Sequence, residues 1–360
     1  MMMGHQTIRY SIIRPSELGN AERTVWRRLQ SANASLHRAF YSPEFATACE
    51  QAGYRTFVTI GYDRDQIQCF LPFQFRSRWH ERIGLAERAG GHLSDAFGLI
   101  AARGFSTSPN RLLRLSRLGA LYTSCLLDGQ DEFGFDPYMW EAAYQTDLSA
   151  GVDAYFEGLQ KRQPSFVSKT KQSLRRAAKD YGSLELVRVR NPSQDLVGKL
   201  IAEKRAQYGR TNASDALGNS AAQALLEILS SSSARECYVD FCILKGGDTT
   251  LGRHLGLRYK DYMNYWFPTY NVEARTVSPG RLLLWEILKS CNSSGVSNVD
   301  FGEGDAAYKK YFATGTIRVG KGAWFAGDLR SLVARTMQSV EWRARAVQAR
   351  CARHSVSIGD

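Results

Sequence analysis

Between Tyr262 and Phe312 the residue pattern changes character three times. YMNYWFPTY is an aromatic, strand-like run. Ser278-Pro279 then marks a helix start, because proline's missing N–H is not needed in a first helical turn. Arg281–Cys291 reads as an amphipathic helix and Val296–Phe301 as a strand. The series closes on DFGEGDAAYKKYF, where three carboxylates, two glycines, tyrosines and two lysines crowd together. Strand, helix and strand in direct succession predict an α/β architecture, not a helical bundle or an all-β sandwich.

The rest of the chain arranges itself around that series. In the first half, Thr7–Ile13 reads as a strand and Pro15–Gln30 as a helix. Ser42-Pro43 starts another helix, and Arg55–Tyr62 and Gln66–Arg76 form a hairpin around YDRD. A glycine-rich polar stretch, Gly84–Gly104, precedes the Ser108-Pro109 start of helix Arg111–Leu118 and strand Leu121–Leu127. The second half has helix Val152–Leu159, a helix capped by Ser168, strand Leu184–Val189, and helices Asp195–Tyr208 and Ser220–Leu229. The hairpin Cys237–Leu244/Leu251–Arg258 turns at Lys245-Gly246-Gly247-Asp248. The shared order of helices, hairpin, serine-proline start and strand predicts two α/β units, each with its own mixed sheet, meeting near residues 145–155. The expected divisions are 1–147, 148–328 and a C-terminal basic amphipathic helix, 329–360. That helix carries Leu332, Met337, Val340, Ala344, Val347 and Cys351 on its apolar face and is expected to pack on its own domain, with peripheral membrane contact as the alternative.

A length of 360 residues suits two domains of about 150 residues each, and 44% hydrophobic with 11% aromatic residues suits a folded protein. The net charge of +12 favours an anionic partner. The seven cysteines form no C-x-x-C pair, so a reduced, cytoplasmic protein without structural zinc is expected. MMMGHQTIRYSIIRPSE lacks a signal-like apolar core, and no apolar run approaches the ~18 residues of a membrane span.

Several motifs fail on context. Asp300-Phe301-Gly302 spells a kinase triplet without the other kinase motifs. Gly315–Lys321 resembles a phosphate loop, but Gly322 stands where Ser or Thr should bind magnesium, and the loop alternates like a strand. Asp300, Glu303 and Asp305 do not fit a calcium loop, and the six histidines are scattered. No metal is expected.

The run from Tyr262 to Phe312 resembles the GNAT acyltransferase superfamily. It is most similar to the branch of CelD-type (cellulose-biosynthesis) acetyltransferases, relatives of the FemAB-type aminoacyl transferases. The likeness lies in the aromatic strand Trp266–Tyr270, Ser278-Pro279-Gly280-Arg281-Leu282-Leu283, the strand end Gly295–Asp305, and Tyr308-Lys309 followed by Tyr311 and Phe312. Ser168–Arg176 matches the branch's basic helix, and the first ~145 residues match only in outline. The resemblance implies two tandem GNAT-like units, the first degenerate. It also implies an acyl-CoA donor, acetyl-CoA above all, and direct transfer to nitrogen or oxygen of a sugar, polysaccharide precursor or related envelope metabolite. A FemAB-like transferase using aminoacyl-tRNA and a non-catalytic binding paralogue are the alternatives. tRNA enters only in the first of these, and DNA in none.

Chemistry gives these residues roles. A helix N-terminus binds phosphate through free N–H groups, so Ser278, Pro279, Gly280 and Arg281, with Arg275, form the expected CoA pyrophosphate site. Only one glycine of the common GNAT signature is present. Acyl transfer needs a base, oxyanion donors and protonation of the leaving thiolate. Asp305 or Glu303 is expected to take the proton, Asp305 doubling as a helix cap. Tyr308, one turn later, is expected on the same face as the thiolate's proton source. Lys309 matches the FemAB lysine implied to stabilise negative charge. Lys169, Lys171, Arg175, Arg176, Trp266, Tyr270 and Asp300 are expected to contact substrate.

Overall fold

The structure, a computed structural model, describes residues 8–339. The first half lays down β1 (Ile8–Ile13), α1 (Asn20–Ser31), α2 (Pro43–Gln51), β2 (Arg55–Asp63), β3 (Gln66–Phe75), α3 (Arg78–Ile83), β4 (Leu85–Arg88), β5 (Ile100–Ala101), α4 (Pro109–Leu115), β6 (Ala120–Leu127) and β7 (Met139–Asp147). The second adds α5 (Val152–Arg162), α6 (Pro164–Tyr181), β8 (Leu184–Arg190), α7 (Gln194–Thr211), α8 (Ser220–Ser230), β9 (Cys237–Gly246), β10 (Thr249–Tyr259), β11 (Tyr262–Tyr270), α9 (Pro279–Lys289), α10 (Cys291–Ser294), β12 (Asn298–Glu303), α11 (Ala307–Phe312) and β13 (Gly315–Phe325). Local chemistry explains the helix starts. The hydroxyls of Ser42 and Ser108 accept the N–H of Phe45 and Arg111, each with proline in the first turn. The basic helix instead starts at Pro164, four residues before Ser168. Pro15–Glu17 is a separate 3₁₀ turn before α1.

The fold is mixed α/β and GNAT-like, in two units, but the two separate sheets expected from sequence are one. Among the described residues thirteen strands form a single sheet in the order β1-β2-β3-β4-β6-β13-β7-β12-β11-β10-β9-β8, with β5 on β3. Read from the two ends, the order is symmetric. Each half runs through a hairpin to a parallel pair, β4 with β6 and β11 with β12. The halves then exchange strands. β13 ladders on β6 of the first half, β7 ladders on β12 of the second, and β13 and β7 pair with each other from Gly315↔Gln145 to Lys321↔Met139. Backbone pairing therefore crosses residue 147 in both directions. The largest core cluster is correspondingly shared, joining Trp26, Phe45 and Phe70 to Leu225, Phe241 and Phe267.

Residues 329–339 are helical. They pack on their own fold through Ala334, beside Leu85 and Ala120, and through Arg335, which lies 3.8 Å over the Phe325 ring. Leu332 and Met337, expected on the packed face, are exposed. Val340, Ala344, Val347 and Cys351 lie outside the described residues. The six cysteines among the described residues are free, buried thiols. No helix among the described residues is long and apolar enough to cross a membrane.

Strand exchange makes a specific prediction. A fragment ending at residue 147 leaves the edge of β6 without its partner β13, so it should not unfold cooperatively alone. Co-expressed with the remainder it should recover a single transition, read by urea denaturation followed by circular dichroism.

Candidate functional site

The parallel pair β11–β12 is short. It spans Tyr262↔Asn298, Met263↔Val299 and Asn264↔Asp300, after which the strands part. Both strands are irregular where they separate. On its other edge β11 carries an extra residue, since Asn264 faces Leu257 but Phe267 faces Leu255. Likewise Asp300 faces Gln145 while Gly302 faces Tyr144, leaving Phe301 as the extra residue of β12. Bulges bend the strands that carry them. Gly302 supplies the left-handed φ of +70° that its bend requires. The result is a slot between β11 and β12 at the C-terminal end of the pair.

The first half has a matching parallel pair, Leu85↔Ala120 to Glu87↔Tyr122. Its slot is filled. The chain leaves β4, loops out, and returns so that Phe97 N–H donates to Cys125 O at 2.9 Å and Leu127 N–H donates to Phe97 O at 3.1 Å. Ile100 and Ala101 then complete the join to β3. The parallel pair of the first half therefore has no open slot.

The open slot has an aromatic and a charged wall. On the α9 side, Tyr265, Phe301 and Tyr308 pack with ring centroids 6.0–6.3 Å apart. His254 stacks on Tyr265 at 4.2 Å, and neither ring nitrogen has a partner. Burial, then the nearby Arg188 and Lys204 charges, hold this imidazole well below its usual range and so neutral. Burial first, then Asp95, push Tyr308 up to about 12. At the slot's root the buried Asn264 amide has no partner on either atom. Such orphaned polar groups are rare in finished cores. Asp95 lies close to the charges of Asp300, Arg88, Lys309 and Glu303. Asp95 is raised to about 7, by burial first and then by the charge of Asp300.

The sequence-predicted residues fall into separate places. Asp300 is buried; its Oδ2 accepts from Arg38 Nε at 3.2 Å and Tyr262 OH at 2.9 Å, and its Oδ1 from Gly302 N–H at 2.8 Å. It is fully engaged within the protein, not offered to substrate. Asp305 neither caps a helix nor shares a cleft with Tyr308. α11 starts two residues later, after Ala306, and the Asp305 side chain is 90% exposed and paired with Lys310 at 3.2 Å. The expected shared face assumed a helix already running at Asp305. Glu303 is part-buried and raised by burial, then by its hydrogen bond with Glu141. Lys309 is buried and donates to the carbonyls of Gly302 and Glu303, clamping the bend. Trp266 donates its indole N–H to Leu93 O at 3.0 Å and packs on Phe40, so it joins the two halves.

At the expected donor site Pro279 begins α9, but Ser278 has φ +56° and its side chain makes no cap. A Cβ on Gly280 would sit 3.3 Å from the Tyr270 ring, so the glycine lets Tyr270 lie close to the helix. Arg281 donates to Ser173 Oγ at 2.8 Å, tying α9 to α6. Arg275 is exposed in a 3₁₀ turn. Beside Tyr270 a cavity of about 360 Å³ is lined by Glu203, Arg210, Arg253 and Asn271. Lys169, Lys171, Arg175 and Arg176 are exposed on α6, Arg176 pairing with Asp180. Sequence reasoning missed Asp95, Arg38, Asn264 and His254. Only Asp95 had a signal, as an acid within the unassigned polar stretch Gly84–Gly104.

Residues 168–310 match the family described as acetyltransferase (GNAT) domain. No curated protein matches the chain. Among solved structures, the crystal structure of FemX overlaps with a TM-score of 0.59 at 11% identity, covering 91% of this chain and 99% of that one. A conserved protein of Bacteroides thetaiotaomicron VPI-5482 overlaps at 0.49, with 9% identity over 86% of this chain and 98% of that one. A tandem GNAT protein from the clavulanic acid biosynthesis pathway overlaps at 0.47, with 12% identity over 89% and 99%. The likeness to FemX shows a shared fold along nearly the whole chain. The matched residues span the strands and helices that build the open slot.

The Asp300 knot is testable by stability. Arg38→Met leaves a buried carboxylate without its cation, and breaking such pairs costs about 3–5 kcal/mol. Urea unfolding of the variant should show a loss on that scale, whereas Asp305→Ala should change stability by less than about 1 kcal/mol, the usual scale of an exposed pair.

Proposed function

We propose that the protein is an acyl-CoA-dependent N- or O-acyltransferase, acetyl-CoA being the donor and a sugar, polysaccharide precursor or related metabolite the acceptor. The observation that carries the reading is the open slot at the β11 bulge, inside the matched domain. Where β11 leaves β12, its edge offers backbone groups to an amide-bearing arm, which adds as an extra strand does. The CoA arm suits that edge, with its pyrophosphate toward the start of α9 and Arg281. Its thioester then reaches Tyr265 and Tyr308. The Tyr308 hydroxyl stays protonated across the physiological range and presents its proton to the leaving sulfur. Bulge amides are suited to hold the oxyanion, and Lys309 adds positive charge behind the bend. The serine-proline-glycine and DFGEGD motifs favour the CelD-type branch.

The exposed basic row on α6 supports a second reading, in which the donor is aminoacyl-tRNA. A thermal-shift comparison of acetyl-CoA with charged tRNA separates the two. Stabilisation of about 2.7 kcal/mol is expected at 100 times the dissociation constant of the true donor. With acetyl-CoA as donor, Tyr308→Phe should bind it as wild type does and melt near the wild-type temperature, because the ring is kept. Its turnover should fall by about 10²–10⁴-fold, the range for a lost acid–base group, and wild-type turnover in this variant would remove Tyr308 from the mechanism.

A further inference from the structure

We propose that Asp95, supplied by the first half of the chain, is the general base for transfer in the slot of the second half. The proposal rests on the acyltransferase reading above. Placement carries it. The loop that plugs the first slot is pinned at both ends. Leu93 O accepts from Trp266 on the strand that opens the other slot, and Phe97 is bonded to Cys125 in the plug. Between them Ser94 Oγ donates to Ala96 O at 2.8 Å and tightens the turn around Asp95. The Asp95 carboxylate thereby reaches Gly302, where a Cβ would stand 3.4 Å from its Oδ2. Closing one slot and arming the other are thus done by the same few residues.

Of the other carboxylates nearby, Asp300 receives three donors, Glu141 holds Lys321, and Asp305 faces outward to Lys310. Glu303 keeps a buried Oε2 without a partner, but it stands on β12 itself, whereas Asp95 reaches the bend at Gly302 from the other half. Asp95 is part-buried, and among the described residues no hydrogen bond or ion pair reaches it. The charged groups around it are Asp300 and Glu303 on β12, Arg88 on β4 and Lys309 on α11, with Tyr308 and Cys125 also near. Its position near 7 matches a base that works at neutral pH.

A lone pair on the acceptor nitrogen or oxygen bonds to the acyl carbon while that atom's proton passes to Asp95. The carbon–sulfur bond breaks with its electron pair on sulfur, and sulfur takes the Tyr308 proton. Solvent then removes the proton from Asp95 and restores the one on Tyr308, leaving acylated acceptor and free CoA.

The experiment compares wild type with Asp95→Asn, using acetyl-CoA as probe and both water and glucosamine as acceptors. Binding is read by calorimetry and thiol release by a chromogenic disulfide. Equal binding is expected, with turnover about 10²–10⁴-fold lower in the variant. Wild-type turnover should rise with pH to a plateau above about 7, and the variant should lack that rise. Equal turnover and equal pH profiles overturn the proposal alone, whereas failure of wild type to bind acetyl-CoA overturns the donor reading and this proposal with it. A second readout needs no acceptor. A carboxyl raised in the folded state keeps its proton where the unfolded chain loses it, so wild type loses stability as pH rises from about 4 to about 7. Asp95→Asn should show less of that loss, the share from the raised Glu303 carboxyl remaining, and its melting temperature should pull ahead of wild type across this window and stay ahead above it. Parallel melting curves across that window overturn the proposal even if no turnover is detected.

Discussion

The Asp300 carboxylate is the fixed point of the molecule. It gathers a guanidinium from the first half, a phenol from β11 and the N–H of Gly302. A buried charge tolerates no missing partner, so these donors fix where β12 stops being a regular strand. Arg38 also lies 4.6 Å over the Tyr262 ring, bringing a cation–π contact to the same knot. β11 and β12 are held together up to this point and separate beyond it. The slot exists because the pairing ends on a rigid cluster and not in a frayed loop.

Much of the architecture was legible from local chemistry. Period and turn residues placed the hairpins, the aromatic strand and the serine-proline helices, since each depends on neighbours in sequence. What was not legible depends on distant pairing. Nothing local in MWEAAYQTD or GTIRVGKGAWF says that each will serve the other half's sheet. The strand character of GTIRVG was visible, but its partner was not.

The site divides in the same way. Tyr308 and Lys309 lie by the slot, as their motif suggests, because α11 follows directly from the end of β12. Asp305 was misplaced by a shift of two residues in a helix start, enough to turn a side chain from cleft to solvent. Asp300 carries the right residue type for chemistry, yet its partner Arg38 stands 262 positions away, and that contact makes it structural. Asp95 sits in a stretch without periodicity, where sequence gives no direction to any side chain.

The exchange of β7 and β13 also bears on how the chain is made. Val319 pairs with Leu127, so the edge of β6 emerges from the ribosome long before the strand that covers it. At roughly 5–20 residues per second of synthesis, that edge waits on the order of ten seconds or more. During this time the first half is an open template for wrong pairing. The central seam therefore cannot close until β13, which ends at Phe325, has been made.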